Sequence, residues 1–155
     1  MSLEVIIGNN QEATEIPESW LTALESVAHL AASLALENAA DADSPLHHLA
    51  TLEVALVDDA TSAKVHQDFM DIEGATDVIT FHHGEIVIGA EVAARQATEY
   101  DEPLPRELLR YFVHGLLHLA GHEDDTPEAR TTMESAQENI VTQLWTPDLK
   151  ARFGN

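Results

Sequence analysis

The segment from Pro103 to Gly121 constrains this chain more than any other. On a helical wheel Leu109, Phe112, Val113, Leu116, Leu117 and Ala120 form one stripe, and Leu108 and Leu119 widen it to about half the circumference. A helix this apolar belongs in the middle of a domain. Its remaining strip carries Glu107, Tyr111, His114 and His118. Buried polar groups need partners, so that strip must face a cleft or a ligand. Pro103 and Pro105 suit the start of such a helix. Gly121 tolerates the left-handed conformation that ends one and turns the chain back.

Helical positions four apart differ by only ~40° and lie one turn above each other. His114 and His118 can therefore aim two imidazoles at one ion. A histidine on an apolar face is ordinarily a packed, hydrogen-bonded side chain, and H-x-x-x-H alone is a weak signal. The turn at Gly121 strengthens it, because it can bring Asp124, or else His122, round to the same ion. Catalytic zinc takes three protein ligands and leaves a position for water. The chain has no cysteine, so nitrogen and oxygen must hold any metal. The expectation is one zinc ion per chain on His114, His118 and Asp124, with His122 turned outward after the helix stops. The pattern H-x-x-x-H-x-x-G-x-x-D has metzincin ligand spacing with an aspartate third. Gly115 stands where the H-E-x-x-H proteases keep their general base, which disfavours peptide hydrolysis by that route.

The rest of the chain supplies a small sheet and its covers. Leu3 to Gly8 reads as a first strand, and Pro17 opens a long helix with Trp20, Leu24, Val27, Ala28, Ala31 and Leu34 at helical spacing. Leu52 to Val57 is a second strand. Asp59 or Thr61 caps a helix reaching to about Phe69, which Glu73-Gly74-Ala75 breaks. Thr76 to Phe81 and Glu85 to Gly89 form a hairpin across His82-His83-Gly84. Ala90 to Tyr100 is a compact helix, and Thr126-Pro127 opens another that Trp145-Thr146-Pro147 ends. The fold expected is α+β: a mixed four-stranded sheet with about five helices, a zincin-like metal-bearing helix at its centre, and a single domain over 1–155.

Twenty-eight acidic residues against seven basic ones give a net charge of −21. Such a surface repels nucleic acid and anionic membranes at long range, and it also simply keeps a protein in solution. An RNA substrate would require the few bases to be concentrated near the site, or a partner to deliver it. The N-terminus lacks a basic region and a long apolar run, and no stretch approaches the ~20 apolar residues that cross a bilayer. A cytoplasmic location is expected.

Three blocks resemble a known family, the YbeY metal-dependent endoribonucleases that mature ribosomal RNA. Its signature H-G-x-L-H-L-x-G-Y-D-H is similar to H-G-L-L-H-L-A-G-H-E-D at 114–124. Its P-T-D-V-L-S-F and G-D-I-V-I resemble Ala75 to Phe81 and Gly84 to Ile88, and its M-E-x-x-E helix resembles the stretch from Met133 to Ile140. The resemblance covers roughly 52–145. It departs at Asp124, where the family has a third histidine, and at Met70 and Ile72, where it has arginine and lysine. It implies a metal-dependent single-strand endoribonuclease in rRNA maturation and ribosome quality control. The implied partners are ribosomal RNA and the small ribosomal subunit, with neither DNA nor membrane.

For the chemistry, Glu123, His122 and Arg110 are the catalytic candidates, with His82 a further proton carrier; Glu123, His122 and His82 each also read as ordinary loop residues. Arg106 and Arg110, which precede the two histidines on the same helix, read as phosphate ligands at the cleft's edge and equally as salt-bridge residues. Asp77 fits a strand-entry turn as well as a functional role, and the pairs His47-His48 and His82-His83 fit polar loops. Two other functions stay open. One is a metal-dependent hydrolase of another substrate, such as a zincin-like peptidase, and the other is a non-catalytic, metal-stabilised ribosome-associated factor.

Overall fold

Two apolar periodicities sort this chain into a sheet and the helices that cover it. The computed structural model describes residues 3–154. In chain order the elements are β1 (Glu4–Asn9), α1 (Glu18–Glu37), a 3-10 turn (Pro45–His47), β2 (Thr51–Val57), α2 (Asp59–Met70), β3 (Val78–Phe81), β4 (Glu85–Gly89), α3 (Ala90–Glu99), α4 (Leu104–Leu119), α5 (Pro127–Leu144) and α6 (Pro147–Arg152). The sheet order is β1-β2-β4-β3. β1 and β4 each run parallel to β2, and β3 pairs antiparallel with β4 as the hairpin reading requires. The fold is the mixed four-stranded α+β arrangement expected.

Alternation along the strands gives each face its own cover. Leu52, Val54 and Leu56 of β2 and Ile86 and Ile88 of β4 join the core built with α1, α4 and α5. Val57, Ile79 and Val87 form a smaller cluster on which Val65 of α2 packs. α4 meets α1, α3, α5, β3 and β4. Its Leu108, Leu109, Val113, Leu116, Leu117 and Leu119 are wholly buried. Burying such a side chain contributes ~1.5–3 kcal/mol, which is why this helix can fix the geometry of whatever it carries. Gly115 sets how closely α4 approaches the sheet. A Cβ there would lie 2.8 Å from Ile86 Cδ1 and Cγ2. The position that bears the general base in H-E-x-x-H proteases thus points at β4 and has no room for a side chain.

Several boundaries differ from expectation. Asp58, rather than Asp59 or Thr61, caps α2, its Oδ1 accepting from the Thr61 amide at 2.8 Å. α2 ends at Met70, and Asp71 takes the left-handed conformation with φ 56°. The helix therefore stops before Glu73-Gly74-Ala75 is reached. Among the described residues there are six α-helices where about five were expected: after the stop at Trp145, Thr146 Oγ1 accepts from the Leu149 amide at 3.1 Å and starts α6. Among the described residues no helix is long and apolar enough to cross a membrane.

Candidate metal centre

The site begins with the way α4 ends. Gly121 has φ 96°, its amide donates to the His118 carbonyl at 3.0 Å, and the His122 amide donates to the Leu117 carbonyl at 3.0 Å. These two bonds are the Schellman arrangement that closes a helix with a left-handed residue. Asp41 packs against Gly121 so tightly that a Cβ would come 2.8 Å from Asp41 Cβ. The reversed chain carries Asp124 back over the last turn of α4. Asp124 Oδ2 lies 3.8 Å from His114 Nε2 and 3.6 Å from His118 Nε2. One ligand atom from each of the three residues falls within 4.8 Å of the others, so the group can hold a metal ion. Bonds of ~2.0–2.1 Å to a tetrahedral ion would put ligand atoms about 3.3 Å apart, so a small contraction closes the set.

The protons on the two imidazoles sit where ligation needs them. His114 Nδ1 donates to Gln137 Oε1 at 2.8 Å, and His118 Nδ1 donates to the His122 carbonyl at 3.0 Å. Each bond fixes the tautomer and leaves the Nε2 lone pair aimed at Asp124. Burial, reinforced by the neighbouring His114, holds the His118 imidazole below its usual pKa, so the neutral, ligating form is favoured. A nitrogen–oxygen donor set with both second nitrogens engaged is the chemistry zinc accepts, and the residues present fit such an ion.

His114, His118 and Asp124 line a cleft of about 550 Å3 whose other walls include Met70, Asp77, Thr80, His82, Glu123, Arg130 and Glu134. Glu123 is exposed beside Asp124. His122 does not turn outward. It is 6% exposed, and its Nε2 donates to the Asn38 carbonyl at the end of α1 at 2.6 Å. Its ring is thus spent on packing, while its backbone carbonyl orients His118. Arg110 also departs from the role of phosphate ligand. It binds Glu102, Glu107 and Glu138 together, and Arg106 binds Glu102. Salt bridging, the second reading of this pair, is the one realised. Asp77 Oδ1 accepts from the Val78 amide at 2.8 Å, the bond of a strand-entry turn, while also facing the cleft. His48 pairs with Asp43 and His83 with Glu85, as polar loops do.

Three contributors escaped sequence reasoning. Gln137 orients His114 from α5; its signal was its place at the end of the M-E-x-x-E-like block, four residues after Met133. The His122 carbonyl has no sequence signal at all. Thr80 Oγ1, buried and without a partner, belongs to a residue of the cleft wall.

The family model described as Endoribonuclease YbeY matches residues 6–145. The Endoribonuclease YbeY of Moorella thermoacetica is 32% identical over 158 residues, covering 90% of this chain and 96% of that one. That of Rhodopirellula baltica is 42% identical over 94 residues, covering 54% of this chain and 48% of that one. A Thermotoga maritima protein solved in solution shares the fold, with a TM-score of 0.56 at 23% identity over 92% of this chain and 89% of that one. The chain belongs to the YbeY endoribonuclease family.

Proposed function

We propose that this member of the YbeY family is a zinc-dependent endoribonuclease that cleaves single-stranded ribosomal RNA during maturation and quality control of the small ribosomal subunit in the cytoplasm. Family membership supports the nuclease activity. The observation that carries the reading is the convergence of two Nε2 lone pairs and one carboxylate on a single point of an open cleft. His114, His118 and Asp124 would hold one zinc ion. When bound, such an ion polarises a phosphoryl oxygen and lowers the pKa of its water toward ~7. Gln137 and the His122 carbonyl keep the two imidazoles in register. Glu123, one of the exposed carboxylates of the cleft and the neighbour of Asp124, would take up and return a proton. Asp124 would bring the ion a negative charge that a third histidine would not, and so would make it less acidifying than three neutral ligands would.

The test is incubation of zinc-loaded protein with a structured RNA containing single-stranded loops and, separately, with casein. Internal cuts in the RNA loops, abolished by chelator and restored by zinc, are the expected result. Cleavage of casein alone would favour the peptidase reading. Inertness toward both, with retained binding to small ribosomal subunits, would favour a non-catalytic factor. The peptidase reading is already weakened by Gly115, whose position faces Ile86 rather than the cleft.

A further inference from the structure

A chain of net charge −21 must still hold the phosphates of its substrate, and its basic residues are few enough to follow one by one. Lys64 is paired with Asp68, Arg95 with Asp59, Arg106 with Glu102 and Arg152 with Asp148, while Arg110 is shared among three glutamates. Among the described residues only Arg130 and Lys150 lack a carboxylate partner within ion-pair distance. Lys150 lines an apolar depression with Trp20 and Trp145, apart from the metal cluster. Arg130 lines the cleft that contains His114, His118 and Asp124.

The backbone places Arg130 firmly. Thr126 Oγ1 caps the Ala129 amide at 3.1 Å, and the Arg130 amide donates to the Thr126 carbonyl at 2.9 Å, so the residue sits on the fixed first turn of α5. Its side chain is exposed, and its one polar contact is a long bond of 3.4 Å from Nη2 to the Asp124 carbonyl. The guanidinium therefore touches the main chain of a candidate metal ligand while its remaining donors stay free. Asp77, Glu123, Asp124 and Glu134 are the acidic residues lining the same cleft, and none of them lies within ion-pair distance of it. The positions that resemble the family's basic pair hold Met70, which lines the same cleft, and Ile72, both exposed and uncharged.

We propose that Arg130 is the phosphate-binding residue of this cleft, gripping the RNA backbone beside the scissile bond in place of the bases missing at 70 and 72. A guanidinium suits this because it presents parallel donors to two phosphoryl oxygens, whereas an ammonium offers a point charge. The assignment rests on the endoribonuclease reading above.

The experiment is steady-state cleavage of a fluorophore-labelled single-stranded oligoribonucleotide by zinc-loaded wild type, Arg130→Ala, Arg130→Lys and the double variant Arg130→Ala/Met70→Arg. Zinc stoichiometry and melting temperature are measured on each. Arg130→Ala should raise KM tenfold or more, keep its zinc and its melting temperature, and flatten the salt dependence of kcat/KM. Arg130→Lys should recover part of the loss. Met70→Arg, at another residue lining the cleft, should recover part of it too. An Arg130→Ala enzyme with KM and salt dependence within twofold of wild type overturns the assignment alone. Wild-type protein that neither binds nor cleaves RNA overturns both the assignment and the reading beneath it.

Discussion

One helix carries two polar clusters a single turn apart, and they have opposite characters. At Arg110 the charges close on themselves: the guanidinium meets Glu102 and Glu138 at 2.7 Å and also binds Glu107, so nothing is left to offer a ligand. At His114 and His118 the outer nitrogens are bound and the inner ones converge on open space beside a carboxylate. Both clusters interrupt the same apolar helix, yet only the second has unused lone pairs pointed at one place. Polarity on a buried helix therefore does not identify a site; unspent hydrogen-bonding capacity does. The two are joined by Gln137, whose Oε1 accepts from His114 while its Nε2 donates to Glu138 at 3.0 Å. The ion network thus helps to orient the amide that holds His114.

The comparison breaks most sharply on substitution of the central residue in each cluster. His118→Ala should cost zinc affinity well over the ~100-fold that marks the upper range for outer-sphere partners, with little change in apo-protein stability beyond lost packing. Isothermal titration and chemical denaturation read the two effects separately. Arg110→Ala should do the reverse. It strips the counter-charge from the buried Glu107 and should destabilise the fold by about 3 kcal/mol while zinc still binds. If Arg110→Ala abolished cleavage by a folded, zinc-loaded protein, the closed network would have a catalytic part after all.

The link between the clusters should give an intermediate effect. Gln137→Ala removes the acceptor on His114 Nδ1 and should weaken zinc binding by roughly 10–100-fold. Unchanged affinity would mean that packing alone holds the His114 ring.

Acid should separate the clusters by pH, with the smallest effect. Burial depresses the His118 pKa in the folded apo protein, so the unfolded chain binds more protons below the free histidine value of ~6.5. Stability from this group is complete above that value and is lost as pH falls through the folded one. Zinc occupancy should fall over the same direction, later when zinc is saturating. At the other cluster, the hydrogen bond from Arg110 holds the Glu102 carboxyl below its usual range. Its contribution is present above the free glutamate value of ~4.3 and is lost only as pH falls through the lower folded value. Apo-protein melting followed from pH 7 to 3 should show two separated losses, and His118→Ala should erase the first alone.

What the sequence disclosed was what lies within one turn of itself. α4, its apolar stripe, its stop at Gly121 and the return of Asp124 follow from spacing between Leu104 and Asp124, and the hairpin follows from a three-residue turn. The direction of His122 did not, because the Asn38 carbonyl that captures its ring is 84 residues away. Arg110 was readable as either phosphate ligand or ion pair until Glu138 arrived from α5, 28 residues on. α6 was missed for a local reason: Thr146-Pro147 ends one helix and starts the next, and a stop signal hides a start signal in the same residues.

The central claim is that two histidines and the aspartate beyond the turn, not the histidine nearest them in helical register, bind the metal. Competitive zinc titration of Asp124→Ala and His122→Ala against wild type tests it most directly. Asp124→Ala should weaken binding tenfold or more, ~1.4 kcal/mol, while His122→Ala, which removes a ring bound to Asn38 and leaves the carbonyl in place, should leave affinity nearly unchanged. A larger loss for His122→Ala than for Asp124→Ala would contradict the account.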